Sequence, residues 1–122
     1  MKGLIIGNNK ERYGNEWLNL ILKGEKTGEI RGSICKHRGT VALIESGSNL
    51  ILGTVDIVDC VQITNELEWN LLKAKHCVNV PFQNLMYNKT YMWVLENPQK
   101  FDTPVECANR KAGQVIWVND AM

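Results

Sequence analysis

The chain has 122 residues, 44% of them hydrophobic and 22% charged, with a formal net charge of +1. That length fits a single domain, residues 1–122, able to bury its own core. The near-neutral balance excludes a protein that holds duplex nucleic acid by phosphate neutralisation alone, and no apolar run reaches the roughly 20 residues of a membrane span.

The opening residues, Met1-Lys2-Gly3-Leu4-Ile5-Ile6-Gly7, hold one lysine and an apolar stretch too short for a secretory signal. They are expected to form a strand over 2–6, and the expected compartment is the cytoplasm. Residues 8–15 are polar with Gly14 and read as a loop. Asn15 can cap a helix over 16–23, whose Trp17, Leu18, Ile21 and Leu22 recur at helical spacing. Gly24, just past the last turn, is a helix stop.

The next segment, Gly24-Glu25-Lys26-Thr27-Gly28-Glu29-Ile30-Arg31, is the densest in chemistry. A strand over 27–31 puts Thr27, Glu29 and Arg31 on one face, with Gly28 and Ile30 on the other and Lys26 at its mouth. Lysine, glutamate and arginine on one face suit a polar ligand, although such clusters are also common as solvated salt bridges of small energetic weight. Residues 32–38 read as a loop carrying Ser33, Lys36, His37 and Arg38. With Arg31 they form one local basic patch, and Arg110-Lys111 forms a second.

A strand is expected over 40–45, and Ser46-Gly47-Ser48-Asn49 is a turn by composition. A long apolar strand follows over 50–61, with Gly53 as a bulge or a point of close approach. Asn65-Glu66-Leu67-Glu68 has the form of a capping box and opens a helix to about residue 74. Leu67, Leu71 and Leu72 are its expected apolar stripe, with Trp69 at the edge. Residues 76–86 contain Pro81 and read as irregular. A strand is expected over 90–97 and ends at Pro98. A brief extended piece over 105–107 and a last strand over 114–119 complete the chain.

Cys35, Cys60, Cys77 and Cys107 are widely spaced and expected to be free thiols, Cys60 in the core. Cys35, His37, His76 and Cys77 have no ordinary zinc-module spacing. No metal and no cofactor is called for.

Gly24 to Arg31 resembles the signature of ASCH domains, the activating signal cointegrator homology family of the PUA-like superfamily. The resemblance continues through Arg38 to Gly47, Gly53 to Cys60, Tyr91 to Pro98 and Gly113 to Val118. It implies an α+β, mostly β fold: a partly open β-barrel of about six strands with two or three short helices. It also implies a cleft lined by Lys26, Glu29 and Arg31, with Arg38 nearby, Ser46 and Gly47 at its rim, and Tyr91 placed to stack a base. Trp93 reads as a core aromatic. The expected function is a module that binds single-stranded RNA or a nucleotide.

Two alternatives stand beside it. Some small family members are amidohydrolases on acetylated cytidine nucleosides, pairing the signature lysine with a threonine three residues on and a distant glutamate. Here Lys26 matches, but the position three residues on is Glu29. That removes the acyl-transfer route and leaves hydrolysis with Glu29 activating water and Lys26 stabilising an oxyanion. Glu68 or Glu96 would be the distant acid, and a nuclease would use Lys26 with Tyr91. The other alternative is a coactivator-type protein-interaction domain, which predicts an exposed apolar patch outside the cleft and is favoured by an exposed Trp69 with leucine and valine neighbours.

Overall fold

The computed structural model describes residues 1–7 and 16–122. Six strands form one sheet: β1 Gly3–Ile6, β2 Gly28–Arg31, β3 Gly39–Glu45, β4 Leu50–Ile63, β5 Thr90–Glu106 and β6 Trp117–Val118. Their spatial order is β2-β5-β4-β3-β1-β6. β1 runs parallel to β3, and every other pairing is antiparallel. Among the described residues three short helices accompany the sheet, α1 Trp17–Leu22, α2 Glu66–Leu71 and α3 Lys73–His76, with a 3-10 turn at Phe82–Asn84.

The period-2 pattern is read out directly. Leu4, Ile6, Val41 and Leu43 enter one core cluster, and Ile5, Ala42 and Ile44 enter another on the opposite face. β1 and β3 are therefore covered on both faces, which is why their sequences are unbroken apolar runs. α1 lays Leu18, Ile21 and Leu22 into the first cluster. A third cluster of Ile30, Ile63, Trp69, Val78 and Met92 lies under α2 and α3.

β4 and β5 are long and repeatedly shift register against each other. Such bulges bend a strand and raise its twist. The sheet curls without closing into a barrel: no backbone ladder joins β2 to β1 or β6. Gly53 sits at one of these shifts, and a Cβ there would lie 2.2 Å from the Gln99 carbonyl oxygen and 2.7 Å from Leu22 Cδ2. It is a point of close approach between β4, β5 and α1.

Several expectations change in the folded chain. β5 continues through Pro98 to Glu106. Asn97 takes a positive φ of 53°, and the pairing skips from Glu96 to Gln99. Pro98 thus sits in a bulge, where its missing N–H costs no ladder bond. The extended piece at 105–107 is the end of this strand. The last strand is only Trp117–Val118. The expected loop over 8–15 and the Asn15 cap lie outside the described residues.

The second helix is broken into α2 and α3, closed by Cys77 at φ 60°. Its cap is as expected: the Asn65 side chain accepts from the Glu68 N–H at 2.9 Å, and its amide donates to Glu68 Oε1 at 2.8 Å. Its buried face is not. Trp69 is 2% exposed, while Leu67 and Leu71 are 70% and 75% exposed. The Trp69 indole stacks on His76 at 3.8 Å between ring centroids and donates to the Val80 carbonyl at 2.9 Å. One large ring with a satisfied N–H wins the core-facing position from two smaller leucines. All four cysteines are free, with Cys60 half-buried.

Trp69→Ala is expected to cost about 3–5 kcal/mol, and Leu71→Ala to stay within about 0.5 kcal/mol. Urea denaturation of the two variants checks this. Gly53→Ala should cost about 1–3 kcal/mol by the same measurement, because the Gln99 backbone must move.

Candidate functional site

α1 ends where Gly24 adopts a positive φ of 78°, and the Gly24 N–H returns to the Ile21 carbonyl at 3.0 Å. The amides of Glu25 and Lys26 both donate to the Leu20 carbonyl, at 2.9 and 3.0 Å. This turn reverses the chain into β2 and directs Lys26 inward. Lys26 is 1% exposed and Glu29 4% exposed. The Lys26 ammonium donates to the His76 carbonyl and lies 3.8 Å from Glu29 Oε1, an ion pair too long for a hydrogen bond. It also lies 5.4 Å from the centre of the Trp17 ring.

Glu29 and Arg31 share a face of β2 and bond to each other. Arg31 Nε and Nη2 donate to Glu29 Oε2 at 3.1 and 2.9 Å. Nη2 also donates to the Ile5 carbonyl at 2.7 Å. The guanidinium therefore spans the gap between β2 and β1 that no backbone ladder closes. Its carbon lies 5.6 Å from the Trp93 ring centre. Trp93 is a core residue, with its Nε1 donating to the Ser33 carbonyl at 2.9 Å.

Burial pushes the Lys26 ammonium below its ordinary value, and the charge of Glu29 opposes that shift. His76 is likewise lowered from 6.5, chiefly by burial. Its Nδ1 accepts from the Val78 N–H at 3.0 Å, so Nε2 carries the proton and donates to the Trp69 carbonyl at 2.9 Å. His76 is a neutral core residue whose backbone carbonyl anchors Lys26.

The three charged heads meet at Glu29, and of the three it is Glu29 that borders the neighbouring cavity, while the Arg31 side chain keeps 16% of its surface exposed. It lines a half-open cavity of about 390 Å³ together with Trp17, Ile30, Val78, Asn84, Leu85 and Tyr87, among others. That size falls in the range of about 300–1,000 Å³ usual for small-ligand sites. Neither Lys26 nor Arg31 lines that cavity. Oε2 is occupied by the two Arg31 bonds. Oε1 faces the Lys26 ammonium at 3.8 Å.

The other expected residues lie elsewhere. Arg38 donates to the carbonyls of Cys35 and His37 at 2.8 and 2.9 Å and faces Asp59 at 3.9 Å. Ser46 and Gly47 form the exposed β3–β4 turn, where the Ser46 N–H donates to the Ile6 carbonyl. Tyr91 pairs with Arg31 across β2 and β5 and packs against the main core cluster. None of these four lines the cavity that holds Glu29. Lys36 and His37 line a separate hollow of about 260 Å³ with Lys2 and Trp117.

Asn84, Leu85 and Tyr87 were not legible as site residues, because the segment after Pro81 has no periodicity. The Tyr87 ring packs on Gly32, where a Cβ would lie 2.6 Å from its Cδ1. Glycine just after the signature strand was the available signal. Among the described residues no group of three or more His, Cys, Asp or Glu is placed to hold a metal ion. Among those residues, no helix is long and apolar enough to cross a membrane. Trp69 offers no surface, since it is buried.

Glu29→Gln leaves the Lys26 charge buried without its counter-charge and is expected to cost about 3 kcal/mol. The double variant Lys26→Met/Glu29→Gln should lose less than the sum of the single changes, which a double-mutant cycle by urea denaturation measures. Stability should also fall as pH drops below about 6.5. There the unfolded chain binds a proton at His76 that the folded chain refuses. Above that window His76 adds no slope. His76→Asn should flatten the midpoint-against-pH curve in the same window.

The ASCH domain family model matches residues 14–105. No curated protein matches the chain significantly. Among solved structures, the ASCH protein of Zymomonas mobilis is similar with a TM-score of 0.62 and 16% identity, covering 85% of this chain and 73% of that one. A serine-to-alanine mutant of it matches equally, and a tyrosine-to-phenylalanine mutant matches at TM-score 0.57 and 17% identity over 87% and 76%. At that identity these likenesses speak for the fold alone. With its helix-stop glycine, signature strand and curled six-stranded sheet, the chain belongs to the ASCH domain family, whose fold is PUA-like.

Proposed function

We propose that this protein is a small RNA- or nucleotide-binding module that receives an unpaired base in the cavity floored by Glu29. The observation that carries this reading is the carboxylate itself. It is nearly buried, its direction is fixed by Arg31, and its residue lines a half-closed hollow. A preorganised anion at that depth accepts N–H groups, such as an exocyclic amine beside a ring N–H, and repels a phosphate. The aromatic rings of Trp17 and Tyr87 and the Asn84 amide line the same hollow. A carboxylate with aromatic walls matches the edge and the face of a splayed base, the form in which single-stranded RNA is read. The ligand is held at its base end, so near-neutral net charge is no obstacle.

A second reading, hydrolysis of a modified nucleoside or of RNA, is favoured by Lys26 having a lowered pKa beside Glu29. Glu29 would activate water and Lys26 would oppose the developing negative charge. Against it, the Lys26 ammonium is already directed to the His76 carbonyl, and Lys26 does not line the cavity.

Titration with the four ribonucleosides, followed by amide NMR shifts, should perturb Glu29, Ile30, Val78 and Asn84 for at least one base. Tyr87→Ala should weaken that binding by about 1–3 kcal/mol if its ring stacks the base. Shifts scattered over the surface, or none, would refute the reading. Turnover lost in both Glu29→Gln and Lys26→Ala would instead select the hydrolase.

A further inference from the structure

The segment over residues 82–90 does more than wall the Glu29 cavity. Its far side borders a second hollow of about 320 Å³, and Leu85 and Tyr87 line both. The two spaces are neighbours across one partition. Their chemistry differs. The first has a buried carboxylate among apolar and aromatic groups. The second is lined by Gln62, Thr64, Gln83, Asn88 and Lys89. Those are two glutamines, an asparagine, an ammonium, and a hydroxyl that itself donates to the Glu68 carboxylate just outside this lining.

We infer that the second hollow binds the phosphodiester of the nucleotide flanking the inserted base, so that the ligand is a single strand of two or more nucleotides. This rests on the base-binding reading of the Glu29 cavity. The argument is electrostatic and spatial. Glu29 repels a phosphate attached to a base seated against it, so the backbone must leave that cavity. The adjoining space offers the Lys89 cation and the side-chain amides of Gln62, Gln83 and Asn88, groups that hold a phosphate. Lys89 and its amide neighbours are exposed and face water, so placing a phosphate there costs little desolvation.

The partition is held by a close fit. Tyr87 sits against Gly32, whose hydrogen leaves room for the ring; a Cβ would approach Cδ1, Cγ and Cε1 at 2.6–3.3 Å. Gly32 carries no positive φ, so an alanine there displaces Tyr87 without straining the backbone itself. Gly32 is thereby a positioning residue for the wall between the two subsites.

The test compares each ribonucleoside with its dinucleoside monophosphates by calorimetry on the full chain at low salt. At least one dinucleoside monophosphate should bind tenfold or more tightly than the matching nucleoside. Lys89→Glu should erase that advantage and leave nucleoside binding unchanged. Gln62→Ala, also on the surface, should reduce the advantage in the same selective way. The advantage should shrink with salt at a log–log slope of about 0.7, that of one phosphate contact on a single strand. Gly32→Ala should weaken both ligands, since both subsites share the wall. Nucleoside binding with no gain from the second nucleotide would overturn this inference alone. So would an equal loss for both ligands in Lys89→Glu. No binding of either ligand would overturn it together with the base-binding reading.

Discussion

The carboxylate of Glu29 is held between two cations of different kinds, and most of the structure around it follows from that. Lys26 could not be buried at 1% exposure without a nearby anion, because removing an ammonium from water costs several kcal/mol. Arg31 contributes geometry more than charge. Its fork fixes one carboxylate oxygen, and its remaining reach ends on the Ile5 carbonyl of the strand across the gap. A guanidinium thus joins two sheet edges that no ladder joins. The same residues that hold the sheet curled also orient the group that faces the cavity.

This coupling explains why the signature segment is so compact. A site needs its side chains locked by neighbours before a ligand arrives. Here the Gly24 turn sets the direction of Lys26, the period-2 geometry of β2 aligns Glu29 with Arg31, and a neutral His76 presents the carbonyl that takes the lysine. His76 is itself fixed by Trp69, the residue that displaced two leucines from the core face of α2. A packing choice forty residues away thus fixes the chemistry of the signature strand.

The cavity walls are of another kind. They come from residues 78–87, a stretch of short turns with little regular structure of its own. A rigid sheet with a variable connection over it is the usual division between scaffold and specificity. On this division the PUA-like fold and the buried charges belong to the scaffold, while the identity of a bound base rests with the wall.

The sequence alone determined the local rules. The apolar runs of β1 and β3, the Gly24 stop, the Asn65 cap and the alignment of Glu29 with Arg31 all depend on neighbours within a few residues, and each is legible there. Only the tertiary structure decided which charged heads meet and which face outward. Lys26, Glu29 and Arg31 converge because α3 and β1 supply distant carbonyls, whereas Arg38, Ser46, Gly47 and Tyr91 are carried elsewhere by the curl of the sheet. Pro98 within β5 and Trp69 within the core have the same cause. A bulge removes the demand for an N–H, and a single large ring outcompetes a helical stripe, and both depend on partners far along the chain.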